Sequence, residues 1–174
     1  MVSHFDRSLL VLGGARSGKS RYAQAMAEAT EGRLIFIATA QPFDPEMTAR
    51  IDRHRADRDD RWLTCEAPID LAEAIADNDG ADSVMLVDCL TLWTSNLLLA
   101  DRDIGGAVGK LVDVIHAMRG KLVLVANEVG WGIVPDNALA RRFRDEAGLI
   151  NQTVAAAASQ VDLVVAGLPM RLKL

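Results

Sequence analysis

An apolar run, Ser8–Leu12, opens without a break into Gly13-Gly14-Ala15-Arg16-Ser17-Gly18-Lys19-Ser20, and a stretch with helical character follows to Glu28. The eight residues fit G-x-x-x-x-G-K-[ST], and that pattern dictates three pieces of structure at once. A strand must end where the first glycine turns the chain. Glycines must let the backbone curl so that successive N–H groups converge on an anion. A helix must begin inside the loop and aim its positive end at the same point. At average residue frequencies, a chance match in a chain this long falls below about one per cent. In this phosphate-binding loop Lys19 is the candidate catalytic cation, reaching the outer phosphates, and Ser20 is the candidate to offer its hydroxyl to Mg²⁺.

Beyond the loop, short apolar runs alternate with longer amphipathic stretches. Strands are expected at Leu34–Ala38, Leu63–Glu66, Ser83–Asp88, Lys121–Ala126 and Val161–Ala166. Runs of four to eight apolar residues without alternation are what strands covered on both faces look like. Helices are expected from Arg16 to Glu28, from Pro45, from Pro68-Ile69-Asp70 to Asn78, from Thr91, over Ala107–Met118, and from Asn137 to about Gln160. Gly167-Leu168-Pro169 reads as a turn, which leaves Met170–Leu174 as a closing antiparallel strand. The repeated βαβ pattern predicts an α/β fold of the P-loop NTPase type (RecA-like), three layers around a mostly parallel sheet. It is expected as one domain over residues 1–174, with no internal repeat or linker to divide it.

Open α/β sheets bind ligands at the carboxyl ends of their strands. Asp88 ends an apolar strand there and is the candidate second ligand for Mg²⁺, or else the cap of the helix that follows. Glu128, after KLVLVAN, is the other acid on that edge and the alternative to Asp88 for the Mg²⁺ role. His54 lies on a stripe with Met47, Arg50, Ile51 and Arg58, spaced three and four residues apart on one helix face. Two arginines and a histidine interleaved with two apolar residues suit an anion pocket; the other reading is a surface amphipathic helix. His4 and His116 carry no such context. Cys65 and Cys89 share no metal-ligand spacing and read as small apolar filler in a reducing compartment.

The charge balance is −5, from 19 basic and 24 acidic residues, which argues against a nucleic-acid partner. No apolar run approaches the roughly 20 residues of a membrane span, and no secretion signal is present, so a cytoplasmic protein is expected.

Five motifs add a resemblance. They are LGGARSGKSRYA over Leu12 to Ala23; Phe36-Ile37-Ala38-Thr39-Ala40; Glu46-Met47, Arg50-Ile51, His54, Arg58 and Trp62; Leu86-Val87-Asp88-Cys89-Leu90-Thr91-Leu92-Trp93 with Ser95-Asn96-Leu97-Leu98; and Asn127-Glu128-Val129-Gly130-Trp131-Gly132-Ile133-Val134-Pro135, continuing through Ala140 to Asp145 and on to Asn151-Gln152. In this order and extent the chain resembles the bifunctional adenosylcobinamide kinase / adenosylcobinamide-phosphate guanylyltransferase family of cobalamin biosynthesis. The resemblance implies phosphorylation of adenosylcobinamide by ATP or GTP, then transfer of GMP from GTP through a guanylylated histidine, matched here by His54. It further implies nucleotide contacts from Gly13, Gly14, Ala15, Arg16, Ser17, Gly18, Lys19 and Ser20, from Ala38, Thr39 and Ala40, from Arg55, Ala56, Asp57 and Arg58, and from Glu66 and Asp88. A homotrimer is implied as well. At Asp59 the chain departs from the family pattern and adds a negative charge beside this set. Two other readings stay open on the sequence: a single-function P-loop kinase of a small molecule, and a nucleotide-driven switch acting on a protein partner.

Overall fold

The computed structural model describes residues 5–42, 45, 48, 56 and 58–174. Within them the strands are β1 (Ser8–Gly13), β2 (Arg33–Ala38), β3 (Leu63–Glu66), β4 (Ser83–Asp88), β5 (Lys121–Asn127), β6 (Gln160–Val165) and β7 (Leu168–Lys173). The helices are α1 (Lys19–Glu28), α2 (Leu71–Asn78), α3 (Leu90–Leu99), α4 (Ile104–Ala117) and α5 (Ala138–Ala157). The strands form one sheet in the order β3-β2-β4-β5-β1-β6-β7. Every pairing is parallel except β6 with β7. One strand, β5, stands between the loop strand β1 and the strand that ends in Asp88, the order that the term RecA-like denotes.

The two faces of the sheet are covered by different helices. Leu10, Ile35, Ile37, Met85, Val87, Leu122 and Leu124 pack against Leu71 and Ile75 of α2, Trp93 and Leu97 of α3, Leu111 and Ile115 of α4, and Ile150 and Val154 of α5. Leu9, Val11, Leu34, Phe36, Val84, Leu86, Val123 and Val125 pack against Ala23, Met26 and Ala27 of α1 and against Trp62. This alternation explains the unbroken apolar runs: each strand must be apolar on both sides. The three layers expected from the sequence are therefore present.

Among the described residues the differences from the expected elements lie at element ends; the helix expected from Pro45 falls mostly outside the described residues. The first helix begins at Lys19 rather than Arg16, because Arg16 and Gly18 sit at φ 55° and 94° and keep the chain curling. Helix α4 starts at Ile104, before its glycines, because the Asp103 side chain accepts a hydrogen bond from Gly106 N at 3.1 Å and caps it. The expected turn over Gly167-Leu168-Pro169 is tighter. Ala166 and Gly167, at φ 52° and 80°, make a two-residue hairpin, and Val165 already pairs with Leu168. Pro169 is tolerated because β7 is an edge strand, where a missing N–H leaves no inner partner unmet.

The hairpin is tied to α1 by a buried polar cluster. Asp162 of β6, 1% exposed, accepts a hydrogen bond from Tyr22 Oη at 2.7 Å and is paired with the guanidinium of Arg171 on β7. Burial, then the hydrogen bond and charge of Asp162, raise the Tyr22 phenol from 10.0 to about 12. Below pH 10 the phenol is protonated in both folded and unfolded chains, and the contact contributes fully. Between pH 10 and 12 the unfolded chain releases its proton while the folded one keeps it, so stability falls as pH rises. The urea midpoint is therefore expected to drop between about pH 9 and pH 11 in wild type, and to drop less in Tyr22→Phe. Equal drops would remove Tyr22 as the cause.

Candidate functional site

The candidate residues on the strands face α1 at the carboxyl edge of the sheet. Residues on β1, β2, β4 and β5 alternate between the two cores. Gly13, Ala38 and Asp88 follow Val11, Phe36 and Leu86 by two residues each, so all three point to the α1 side. Register extends the row: Ala38 is level with Asp88 on one side and with Glu66 on the other. Glu66, Ala38, Asp88 and Gly13 thus line one edge on one face, with the start of α1 above them.

The loop geometry is that of an anion cradle. A side chain at Gly13 would place its Cβ 2.7 Å from the carbonyl of Val164 and 2.4 Å from Ser17 Oγ, so only glycine fits. Ser17 N donates to Gly14 O at 3.3 Å, and Ser17 O accepts from Gly167 N at 2.8 Å, which braces the loop on the β6–β7 hairpin. Ser17 Oγ is buried without a hydrogen-bond partner, a hydroxyl left available inside the loop. Gly14, Ala15 and Arg16 are exposed, while Ser17, Gly18 and Ser20 are half-buried. Lys19 is 6% exposed, and its Nζ donates to Gly14 O at 3.1 Å, which sets the ammonium within the curl. A cation held there meets any phosphate that the loop amides bind.

The ends of β2 and β4 are locked together by Thr39. It is fully buried; its Oγ1 donates to Cys89 O and accepts from Cys89 N, both at 2.8 Å, and its carbonyl accepts from Asn96 Nδ2 at 2.7 Å. Its hydroxyl is thus engaged within the protein, bracing the chain where β2 and β4 end, beside Ala40 and Asp88. Burial and the neighbouring Asp88 charge raise the Cys89 thiol to about 11, so it stays protonated at neutral pH and is no nucleophile. Cys89 and Cys65 are unpaired, in keeping with their reading as filler. His116 is exposed on α4.

Arg58 is half-buried, with its guanidinium carbon 3.6 Å over the Phe36 ring, and Trp62 meets that ring edge-on at 6.4 Å. Phe36 lies two residues before Ala38 on the α1 face, so Arg58 is held on the side of the sheet where the loop lies. Asp59 is paired with Arg61 at 2.8 Å, which offsets the charge expected to trouble this segment. Ala56 is exposed. His54, Arg50, Arg55 and Asp57 lie outside the described residues. Among the described residues no three His, Cys, Asp or Glu side chains form a metal cage, and no helix is long and apolar enough to cross a membrane.

Two asparagines to which the sequence motifs assign no role lie beside these residues. Asn96, 7% exposed, joins Thr39 O to Pro68 O. Asn127 ends β5 against Gly13. The usable signal was a polar residue at the close of the apolar run KLVLVAN.

Comparison with known proteins sets this geometry in context. The family model described as cobinamide kinase / cobinamide phosphate guanyltransferase matches residues 9–172. A bifunctional adenosylcobalamin biosynthesis protein of Pseudomonas aeruginosa is 46% identical over 166 residues, covering 94% of this chain and 96% of the relative. Its namesake in Escherichia coli is 42% identical over 180 residues, covering 95% and 99%. A solved structure of a protein from Pyrococcus horikoshii OT3 superposes with TM-score 0.60 at 8% identity, covering 99% of this chain and 88% of that one, a likeness of fold alone.

Proposed function

The chain belongs to the cobinamide kinase / cobinamide phosphate guanyltransferase family, and on that premise we propose that one site on the α1 side of the sheet performs both of its transfers. The protein is an enzyme of cobalamin biosynthesis. In the first transfer the alcohol of adenosylcobinamide attacks the γ-phosphorus of a nucleoside triphosphate. In the second, GMP passes from GTP to the new phosphate, giving adenosylcobinamide-GDP and pyrophosphate. The observation that supports the shared site is the row of Asp88 and Glu66 at one strand edge, with Arg58 and the loop that holds Lys19 on the same side of the sheet.

The kinase step asks mainly for positioning and charge neutralisation. The loop amides and Lys19 supply both to the triphosphate. Asp88 and Ser20 fit Mg²⁺: they are hard oxygen donors and too few to cage the ion, which suits one that keeps phosphate and water in its shell. Bound there, Mg²⁺ would neutralise phosphate charge.

The guanylyl step runs through His54. Neutral imidazole nitrogen bonds to the α-phosphorus of GTP, and the bond to the bridging oxygen breaks with its electron pair going to pyrophosphate. A phosphate oxygen of the corrinoid then bonds to the same phosphorus, and the phosphorus–nitrogen bond breaks to restore the imidazole. Arg58, held on the same side of the sheet as the loop, would balance the growing phosphate charge.

We place the protein in the cytoplasm, as a homotrimer. Support for self-association comes from Leu168, Met170 and Leu172 on the edge strand β7 and from Trp131 and Ile133 on the β5–α5 loop, all more than half exposed. Purified protein given adenosylcobinamide, ATP and GTP should yield the phosphate and then the GDP ester by mass spectrometry, and should sediment as three chains. Nucleotide turnover without corrinoid product would contradict the function, and a single-chain mass would contradict the trimer.

A further inference from the structure

The end of β5 holds a polar side chain to which neither transfer, as drawn above, assigns a part. Along β5, Leu122, Leu124 and Ala126 face the four-helix core, while Val123 and Val125 face α1. Asn127 therefore turns its side chain towards α1, the side of the phosphate loop. It is in register with Gly13, and the next residue, Glu128, donates its N–H to Gly13 O at 3.1 Å. Asp88 is level with Val125, so Asn127 stands one pleat farther out on the same face.

Its backbone is held from two helices. Thr91 Oγ1 of α3 accepts from Asn127 N at 2.7 Å, and Asn151 Nδ2 of α5 donates to Asn127 O at 3.1 Å. Both side chains are themselves buried, at 7% and 9% exposure. The backbone is thus fixed at both its N–H and its carbonyl. Yet the side-chain Oδ1 is buried with no hydrogen-bond partner. Buried amide oxygens are nearly always paired, so an orphan beside a ligand site points to a donor that arrives with the ligand. Triphosphate oxygens are acceptors at neutral pH and cannot pair with it. The alcohol of the phosphoryl acceptor is a donor.

We infer that Asn127 is a further catalytic residue of the phosphoryl transfer, its Oδ1 accepting the hydrogen bond of the attacking corrinoid hydroxyl and orienting that oxygen on the γ-phosphorus. This rests on the proposed function. In the transfer the hydroxyl oxygen bonds to phosphorus, the bridging bond breaks with its electron pair going to the nucleoside diphosphate, and the hydroxyl proton is released to water. Asn127 gains and loses no proton. In the guanylyl step the corrinoid presents a phosphate, which has no hydroxyl to orient, so the two steps should depend on Asn127 unequally.

The test is Asn127→Leu, near in size but without the acceptor, assayed separately for phosphorylation of adenosylcobinamide and for GMP transfer to preformed adenosylcobinamide phosphate. Kinase kcat is expected to fall by about 100-fold, the scale of a misplaced attacking atom. GMP transfer is expected to fall by less than about threefold, and the Kd for a non-hydrolysable GTP analogue to stay within the same range. Asn127→Ser, which shortens the reach, is expected to show the same split and covers a leucine variant that fails to fold. Equal loss in both steps, or no loss in the kinase step, overturns the inference while leaving the proposed function standing. A wild type that makes neither product overturns both.

Discussion

Lys19→Ala is expected to lower kcat/KM of both transfers by about 10²–10³-fold, the scale seen when one preorganised charge-stabilising group is removed from a reacting centre. Lys19 is 6% exposed and its Nζ lies at 3.1 Å from Gly14 O, inside the curl that the loop amides also line. A phosphate arriving there meets the ammonium in a setting poor in water, where its charge is worth more than at a surface. Alanine leaves the loop glycines in place, so the fold should survive and the loss should be of triphosphate binding and of charge balance in the transition state. Steady-state rates for the kinase with ATP and for GMP transfer with GTP check this. Retention of either activity would mean that the two reactions do not share the loop.

His54→Ala is expected to separate the same two activities. GMP transfer should fall by at least about 10³-fold, because removing the nucleophile removes the covalent route altogether. The kinase should stay within a few-fold of wild type, since its attacking group belongs to the substrate. Arg58 sits four residues beyond His54 and is held against Phe36, and Trp62 anchors the chain just after it. The alanine variant therefore keeps the contacts that Arg58 and Trp62 make with Phe36 on the α1 side of the sheet. Equal loss of both activities would assign His54 a structural or shared part instead of a carrier's.

Much of this was legible in the chain because burial on both faces leaves a plain mark. SVMLVD and KLVLVA read as covered strands, and both are, the second running one residue farther to Asn127. The phosphate loop was legible because glycine, lysine and serine are each required at a fixed step. Element ends were less so. Gly105 and Gly106 suggest a break, yet Asp103 caps a helix through them, and a cap of this kind is decided by one side chain's hydrogen bond. The hairpin turns at Ala166-Gly167, one residue before the expected Gly167-Leu168-Pro169; alanine seldom takes a positive φ and gives no turn signal. The alignment of Glu66, Ala38 and Asp88 needed strand order, which no local pattern contains. Thr39 and Asn96 gave no warning that they brace each other, being 57 residues apart in sequence. The stripe through Arg50, His54 and Arg58 was visible from spacing alone, and only Arg58 of the three is among the described residues.

The most direct measurement is incubation of the protein with GTP labelled on the α-phosphate and, separately, on the γ-phosphate, followed by digestion and mass spectrometry of the peptide carrying the label. Acid-labile label is expected from the α-phosphate only, located on His54 and lost in His54→Ala. No adduct at GTP concentrations where binding is demonstrated, or an adduct on another residue, would contradict this and would leave the phosphate loop serving a kinase alone or a different carrier.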